Sequence, residues 1–98
     1  MFVLALSVDL HIPECRSLKA KRAVVKPILE GARRRYGVAA AEVDHQDQWH
    51  RAELGMAAVS GSQRHVTEVM DEVERFVWSH PEVQVLTSNR SWLEASDA

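Results

Sequence analysis

Residues Val38 to Ser60 read VAAAEVDHQDQWHRAELGMAAVS, and this stretch decides the fold. Small apolar residues fill its two ends, whereas titratable residues crowd its middle. In its second half, apolar side chains occupy every second position, which is the period-two pattern of a strand. These positions are Ala52, Leu54, Met56 and Ala58. The stretch therefore predicts a β-hairpin whose turn lies near His45 to Trp49.

In the first strand of this hairpin we expect Ala39, Ala41 and Val43 to face the core. Glu42 then points to the other side of the sheet, where Arg51 is placed to pair with it across the strands. Such a cross-strand ion pair contributes roughly 0.2 to 1 kcal/mol.

The chain before the hairpin predicts one strand and one helix. Met1 to Ile12 alternates apolar residues with small or polar ones, which indicates a strand. From Leu18 to Tyr36 the apolar positions recur at helical spacing. Ser17 is well placed as the N-cap and Gly37 as the C-terminal stop. Pro27 lies inside this helix, where we expect a kink rather than an end.

The chain after the hairpin predicts a second helix that opens at Ser62 and ends at the Ser79 to Pro81 turn. A last strand follows from Val83 to Ser88, extending towards Trp92, and 94–98 form a frayed tail. With right-handed crossovers, the order β-α-β-β-α-β predicts an α+β, ferredoxin-like fold, with a four-stranded antiparallel sheet and both helices on one face. Residues 1–98 make a single domain of this size.

The other face of such a sheet is left open, and its two ends differ in character. One end collects small apolar residues: Val3, Ala5, Val38, Ala40, Gly55, Ala57 and Val59. The other end collects charged residues: Asp9, His11, Glu42, Asp44, Arg51 and Glu53. An apolar patch in water is typical of an interface, so we expect a homodimer formed through the sheets or their edges. The alternative is that Trp92 and the tail fold over the patch.

Composition limits the compartment and the class of protein. The net charge of −2 shows no overall excess of positive charge, and Cys15, the one cysteine, allows no internal disulfide. The apolar run at the N-terminus reaches Asp9 too early for a secretory signal, and no stretch is long enough to span a membrane. We expect a cytoplasmic protein that does not bind membranes.

The first predicted helix carries most of the positive charge. Six of its cations are candidate nucleic-acid-binding residues: Lys19, Lys21, Arg22, Lys26, Arg33 and Arg34. Such a stripe neutralises phosphates, and the open sheet face lacks the paired aromatics that stack RNA bases, so RNA would contact the helix. The alternative is that these cations pair with acids of the second helix. Those acids are Glu68, Asp71, Glu72 and Glu74.

The turn end of the hairpin is a candidate polar site. Its members are Asp9, His11, Asp44, His45, Trp49 and Arg51. A histidine beside a carboxylate suits acid–base chemistry. However, the histidine spacing fits no metal template, and the only candidate nucleophiles are Ser7 and a lone loop cysteine, Cys15. We therefore expect no metal, no cofactor and no assigned catalytic residue.

Three segments resemble a known family. They are SLKAKRAVVK at 17–26, AEVDHQDQWHRA at 41–52 and RHV at 64–66, and they resemble the YlxP-like family of small uncharacterised bacterial proteins. The resemblance implies a ferredoxin-like fold, no established reaction or cofactor, and genes often found beside those of translation and ribosome-maturation factors. Pro27 departs from the family pattern.

These observations give two hypotheses of different classes. The first is a non-enzymatic, dimeric cytoplasmic adaptor that associates with RNA or a ribosomal assembly through the basic helix. The second is a small enzyme, or a ligand- or metal-binding protein, that uses the polar hairpin end.

Overall fold

The computed structural model describes residues 1–93 and contains the predicted elements in the predicted order. These are β1 (Phe2–His11), α1 (Leu18–Tyr36), β2 (Ala39–Asp44), β3 (Arg51–Ser60), α2 (Gln63–Trp78) and β4 (Gln84–Leu93). The last strand is longer than the Val83 to Ser88 core predicted for it. The tail predicted at 94–98 lies outside the described residues.

The four strands form one antiparallel sheet in the order β2-β3-β1-β4. Both helices cover one face of it, so the ferredoxin-like prediction is confirmed. β1 and β3 are the central strands, and β2 and β4 are the two edges. No helix within residues 1–93 combines the length and the apolar character that crossing a membrane requires.

Local capping explains where both helices begin and where α1 ends. The hydroxyl of Ser17 accepts a hydrogen bond from the backbone N–H of Ala20 at 3.0 Å, and that of Ser62 accepts from His65 at 3.2 Å. Gly37 ends α1 with a φ of 67°, a left-handed conformation that glycine adopts without steric cost. The helix runs through Pro27 without ending there.

The core lies between the sheet and the helices. Its largest apolar side chains come from alternate positions of the central strands, as predicted, and from one face of each helix. From the strands these are Leu4, Leu6, Val8, Leu10, Leu54 and Met56; from the helices they are Val25, Ile28, Val66, Met70, Val73 and Val77.

The predicted orientation of β2 is wrong. Val38 and Ala40 are buried, whereas Ala39, Ala41 and Val43 are exposed on the open face. The physical reason is that Glu42 faces α1, where it meets a buried lysine, and the alternation of the strand follows from that contact. The β2–β3 register shifts between Glu42 and Asp44.

Small residues form a shallow depression of about 420 Å³ on the open face. Its floor includes Ala5, Ala39, Ala41, Gly55 and Ala57, and Val43 rises at its edge. A β-carbon added at Gly55 would lie 2.9 Å from Cγ1 of Val43, so the missing side chain makes room for the valine. Trp92 pairs with Leu4 and shares its core-side face, so it does not cover the depression as the alternative supposed.

Candidate functional site

Lys21 is the most buried charged side chain among residues 1–93, with 2% of its surface exposed. Its Nζ lies 2.6 Å from Oε2 of Glu42 and donates a hydrogen bond of 2.5 Å to the carbonyl of His45. The prediction that Lys21 binds nucleic acid beside the exposed stripe of α1 is therefore wrong. The sequence did hold the signal, because Lys21 lies four residues before Val25 and seven before Ile28, on the buried stripe of the helix.

The other cations of α1 divide into two groups. Lys19, Arg22, Lys26 and Arg34 are exposed on the outer surface of the helix; we call these four residues the basic face. Lys26 Nζ lies 3.9 Å from Oε1 of Glu30, and both side chains are open to solvent. Such an exposed pair is worth little and leaves the lysine free to exchange partners.

Arg33 and Arg35 are engaged within the molecule. Arg33 donates hydrogen bonds from Nε, at 3.1 Å, and from an Nη to the carbonyl of Ala40 on edge strand β2. The guanidinium of Arg35 lies 5.2 Å from the ring centre of Phe76 in a cation–π contact. Arg33 is thus a structural residue first, although sequence periodicity placed it with the binding residues.

Three of the four acids of α2 have partners other than the cations of α1. Arg90 of β4 lies 2.9 Å from Asp71 and 3.1 Å from Glu74, and Arg64 lies 3.0 Å from Glu68 within α2 itself. None of the ion pairs within residues 1–93 joins the two helices. The alternative in which α2 neutralises α1 is therefore wrong for the part of the chain that the structure describes.

At the polar hairpin end, the structure brings together Asp9, Arg51 and His45. An Nη of Arg51 donates to Oδ2 of Asp9, and Nε2 of His45 lies 3.9 Å from Oδ1 of the same carboxylate. The predicted cross-strand pair of Arg51 with Glu42 is wrong, since Glu42 faces the opposite side of the sheet. Oδ1 of Asp9 and Nε of Arg51 are buried without a hydrogen-bond partner.

The side chains of the remaining members of the predicted polar site make other contacts. Nδ1 of His11 is 3.0 Å from the side-chain oxygen of Gln84 across the β1–β4 pair. Asp44 accepts a hydrogen bond of 2.7 Å from the backbone N–H of His45, which stabilises a positive φ of 63° at that histidine. Trp49 is 48% exposed on the turn and its ring lies edge-on to His50.

The cluster offers little for nucleophilic or metal chemistry. No three metal-ligating side chains converge anywhere in residues 1–93. Cys15 is buried, and its thiol donates to the carbonyl of Ser17 at 3.3 Å, which makes it a poor nucleophile. What the cluster can do is present an arginine–carboxylate pair, flanked by a histidine, at the border of the open-face depression.

Comparison of the structure with solved proteins reveals the same architecture. The crystal structure of acylphosphatase from Bacillus subtilis matches with a TM-score of 0.51 at 12% identity, covering 99% of this chain and 90% of that one. A de novo designed protein with ferredoxin fold matches with a TM-score of 0.53, also at 12% identity, over 100% of this chain and 91% of that one. At such low identity these similarities concern the fold alone.

Comparison of the sequence is more specific. The chain is 36% identical over 81 residues to the uncharacterized protein YlxP of Bacillus subtilis, covering 83% of this chain and 88% of that protein. The sequence profile of a family described as "Protein of unknown function (DUF503)" matches residues 3–90. The predicted resemblance is thereby confirmed, and the chain belongs to the DUF503 family.

Proposed function

We propose that this protein is a non-enzymatic cytoplasmic adaptor that binds RNA, such as the RNA of a ribosomal assembly, through the basic face of α1. The observation that carries the proposal is the distribution of ion pairs. Three of the four acids of α2, Glu68, Asp71 and Glu74, pair with Arg64 or Arg90, and within residues 1–93 none of the four pairs with a cation of α1. Four exposed cations on one helix surface are thus left to contact phosphates.

The basic face suits a phosphate backbone better than a sequence-specific contact. Its side chains are long, solvated and spread over about four helical turns, which matches the spacing of repeated charges rather than one anion. Releasing about four condensed counterions would give log K a slope against log salt of roughly −3. Association by this route is strongly weakened by salt.

The open face of the sheet supports the same choice of surface. RNA-binding sheets of this topology stack bases on aromatic side chains. In the described chain, the inner two strands instead expose small and charged residues on that face: Val3, Ala5, Ser7, Asp9, His11, Arg51, Glu53, Gly55, Ala57 and Val59. RNA would therefore contact the helical layer.

We further propose that the adaptor is a homodimer. The apolar floor of the depression, together with Val43 and Val59, which are 50% and 64% exposed, is the kind of surface that self-association covers. A dimer also carries two basic faces. Two sites that bind one RNA together raise the apparent affinity beyond that of each site alone.

Co-sedimentation with isolated bacterial ribosomal subunits at two salt concentrations tests the RNA proposal. We expect the protein to travel with a subunit at low ionic strength and to be released at high ionic strength. Treating the pellet with ribonuclease should release it as well. Failure to co-sediment with either subunit, and to bind a short RNA, at low salt would contradict the proposal.

The cluster of Asp9, Arg51 and His45 favours a second candidate, a small-ligand-binding protein. The observation behind it is that Oδ1 of Asp9 and Nε of Arg51 are buried without hydrogen-bond partners, next to the depression. Buried polar atoms in proteins generally have a hydrogen-bond partner, and a bound polar ligand would supply one here. A thermal-shift screen of metabolites against the wild type and Asp9→Asn distinguishes the candidates, because only a ligand at this cluster stabilises the wild type selectively.

A further inference from the structure

The two edges of the sheet differ in how they are protected. Edge strand β2 is only six residues long and contains an irregularity in its pairing between Glu42 and Asp44. The side chain of Arg33 donates hydrogen bonds to the carbonyl of Ala40 on this strand, so this carbonyl is already paired. Short length, a bulge and a covering charged side chain are the devices by which proteins keep an edge from pairing with another strand.

Edge strand β4 has few of these devices. It is ten residues long and contains no proline and no lysine. Its one charged residue, Arg90, is drawn towards α2 by Asp71 at 2.9 Å and Glu74 at 3.1 Å. The pairing of β4 with β1 is irregular only near Leu86, so 87–93 form a regular strand with an unpaired outer edge within the described structure.

We propose that the β4 edge pairs antiparallel with β4 of a second copy of the chain, joining two four-stranded sheets into one of eight strands. This inference rests on the homodimer of the proposed function, but it places the contact at the β4 edge, which leaves the open-face depression uncovered. An edge strand is completed by another strand, and a two-fold axis brings the same segment of both copies together in antiparallel orientation.

The sequence of β4 favours its own copy as the occupant. In a regular antiparallel pair, opposite residues share a face of the sheet. In a two-fold symmetric pair, one residue must therefore lie opposite its own copy, at the axis. An axis at Asn89 sets Arg90 opposite Ser88 of the other copy, which avoids placing two guanidinium groups across from each other. In this register the regular pairing spans 87–91, and Trp92, 42% exposed, lies beside the irregular stretch at Leu86 of the other copy, 47% exposed. The two-fold axis repeats this contact, so the exposed apolar side chains of both copies are partly covered.

Disulfide trapping tests the contact. Cα atoms of opposite residues in an antiparallel pair lie about 4.5 to 5.5 Å apart, which is within the range that a disulfide spans. We expect Asn89→Cys to form a covalent dimer under mild oxidation. The wild type, with only the buried Cys15, is one control, and Ala41→Cys on the opposite edge is the matched control. Both should remain non-covalent.

Light scattering of the unmodified chain separates the two claims. A dimer mass together with trapping at position 89 supports both of them. A dimer mass without trapping at position 89 overturns the β4 contact and leaves the homodimer intact, whereas a monomer mass overturns both. As a second route, the double variant Leu86→Lys and Trp92→Lys should shift the mass to that of the monomer with an unchanged far-ultraviolet circular dichroism spectrum. A persistent dimer would contradict the inference.

Discussion

Lys21 of α1 and Glu42 of β2 form an ion pair of 2.6 Å in which the lysine side chain is 2% exposed and the glutamate side chain 22%. The same ammonium binds the carbonyl of His45, so one side chain fixes the helix to both a strand and its turn. This contact orients β2 and holds the polar hairpin end in place. It also takes Lys21 out of the surface available to a partner.

The buried ion pair predicts unequal costs for the loss of its two members. Glu42→Leu leaves an ammonium ion buried without a counterion, so we expect a loss of about 3 to 5 kcal/mol in the free energy of unfolding. Lys21→Met leaves a carboxylate that is partly open to water, and about 2 kcal/mol is expected. Urea denaturation measures both losses. The double variant, Lys21→Met with Glu42→Leu, should lose far less stability than the sum of the two single losses. Losses that simply add would contradict the pairing.

His45 predicts a stabilising substitution. Its φ of 63° is a left-handed conformation that costs a residue other than glycine about 1 kcal/mol. The bond from Lys21 goes to its backbone carbonyl and therefore survives a change of side chain. We expect His45→Gly to raise the midpoint of thermal unfolding slightly and His45→Val to lower it. A lower midpoint for the glycine variant would show that the imidazole contact with Asp9 outweighs the backbone strain.

Replacing Gly31 should disturb the packing between the two helices. A β-carbon there would lie 2.4 Å from Cζ of Phe76, whose ring contacts Tyr36 and His80 edge-on. Because neighbours hold the ring on two sides, Gly31→Ala should destabilise by about 1 kcal/mol despite the better helix propensity of alanine. Chemical denaturation should show that adding Phe76→Leu recovers part of this loss. Gly61→Ala, with no atom within 4 Å of its β-carbon, is the matched control.

Neighbouring arginines predict opposite phenotypes. Arg33→Gln removes the hydrogen bonds to Ala40 and should lower the free energy of unfolding by about 1 kcal/mol, with little effect on RNA affinity. Arg34→Gln should leave stability unchanged and weaken RNA binding. Melting curves and RNA titrations of the two variants, made side by side, check this. Equal loss of RNA affinity in both would mean that the basic face extends to Arg33.

The fold could be predicted from the sequence because its elements rest on clear periodicities. Leu4, Leu6, Val8 and Leu10 alternate without interruption, and the apolar stripe from Val66 to Val77 keeps helical spacing. β2 was misread because alanine is compatible with either face, so the run from Ala39 to Ala41 does not distinguish them. The residue that settles the orientation, Glu42, is polar and points inwards, against the usual rule.

The candidate site was harder to predict for a related reason. A charged residue on the apolar stripe of a helix can be predicted to be buried only when its partner is known. The partner of Lys21 lies 21 positions away on another element. The same holds for Arg33 and for three acids of α2, Glu68, Asp71 and Glu74, whose partners belong to strands or to their own helix. Side-chain pairing across the tertiary structure decides which charges remain for a partner.

The most direct test of the central claim is RNA binding by a charge-reversed basic face. The triple variant Lys19→Glu, Arg22→Glu and Lys26→Glu is compared by fluorescence anisotropy with the wild type and with a control, Arg64→Glu and Arg75→Glu on α2. We expect the wild type and the control to bind a labelled short RNA with similar affinity and a salt slope of roughly −3, and the triple variant to lose at least about tenfold in affinity and most of that slope. Unchanged binding by the triple variant, with its fold intact by circular dichroism, would contradict the account.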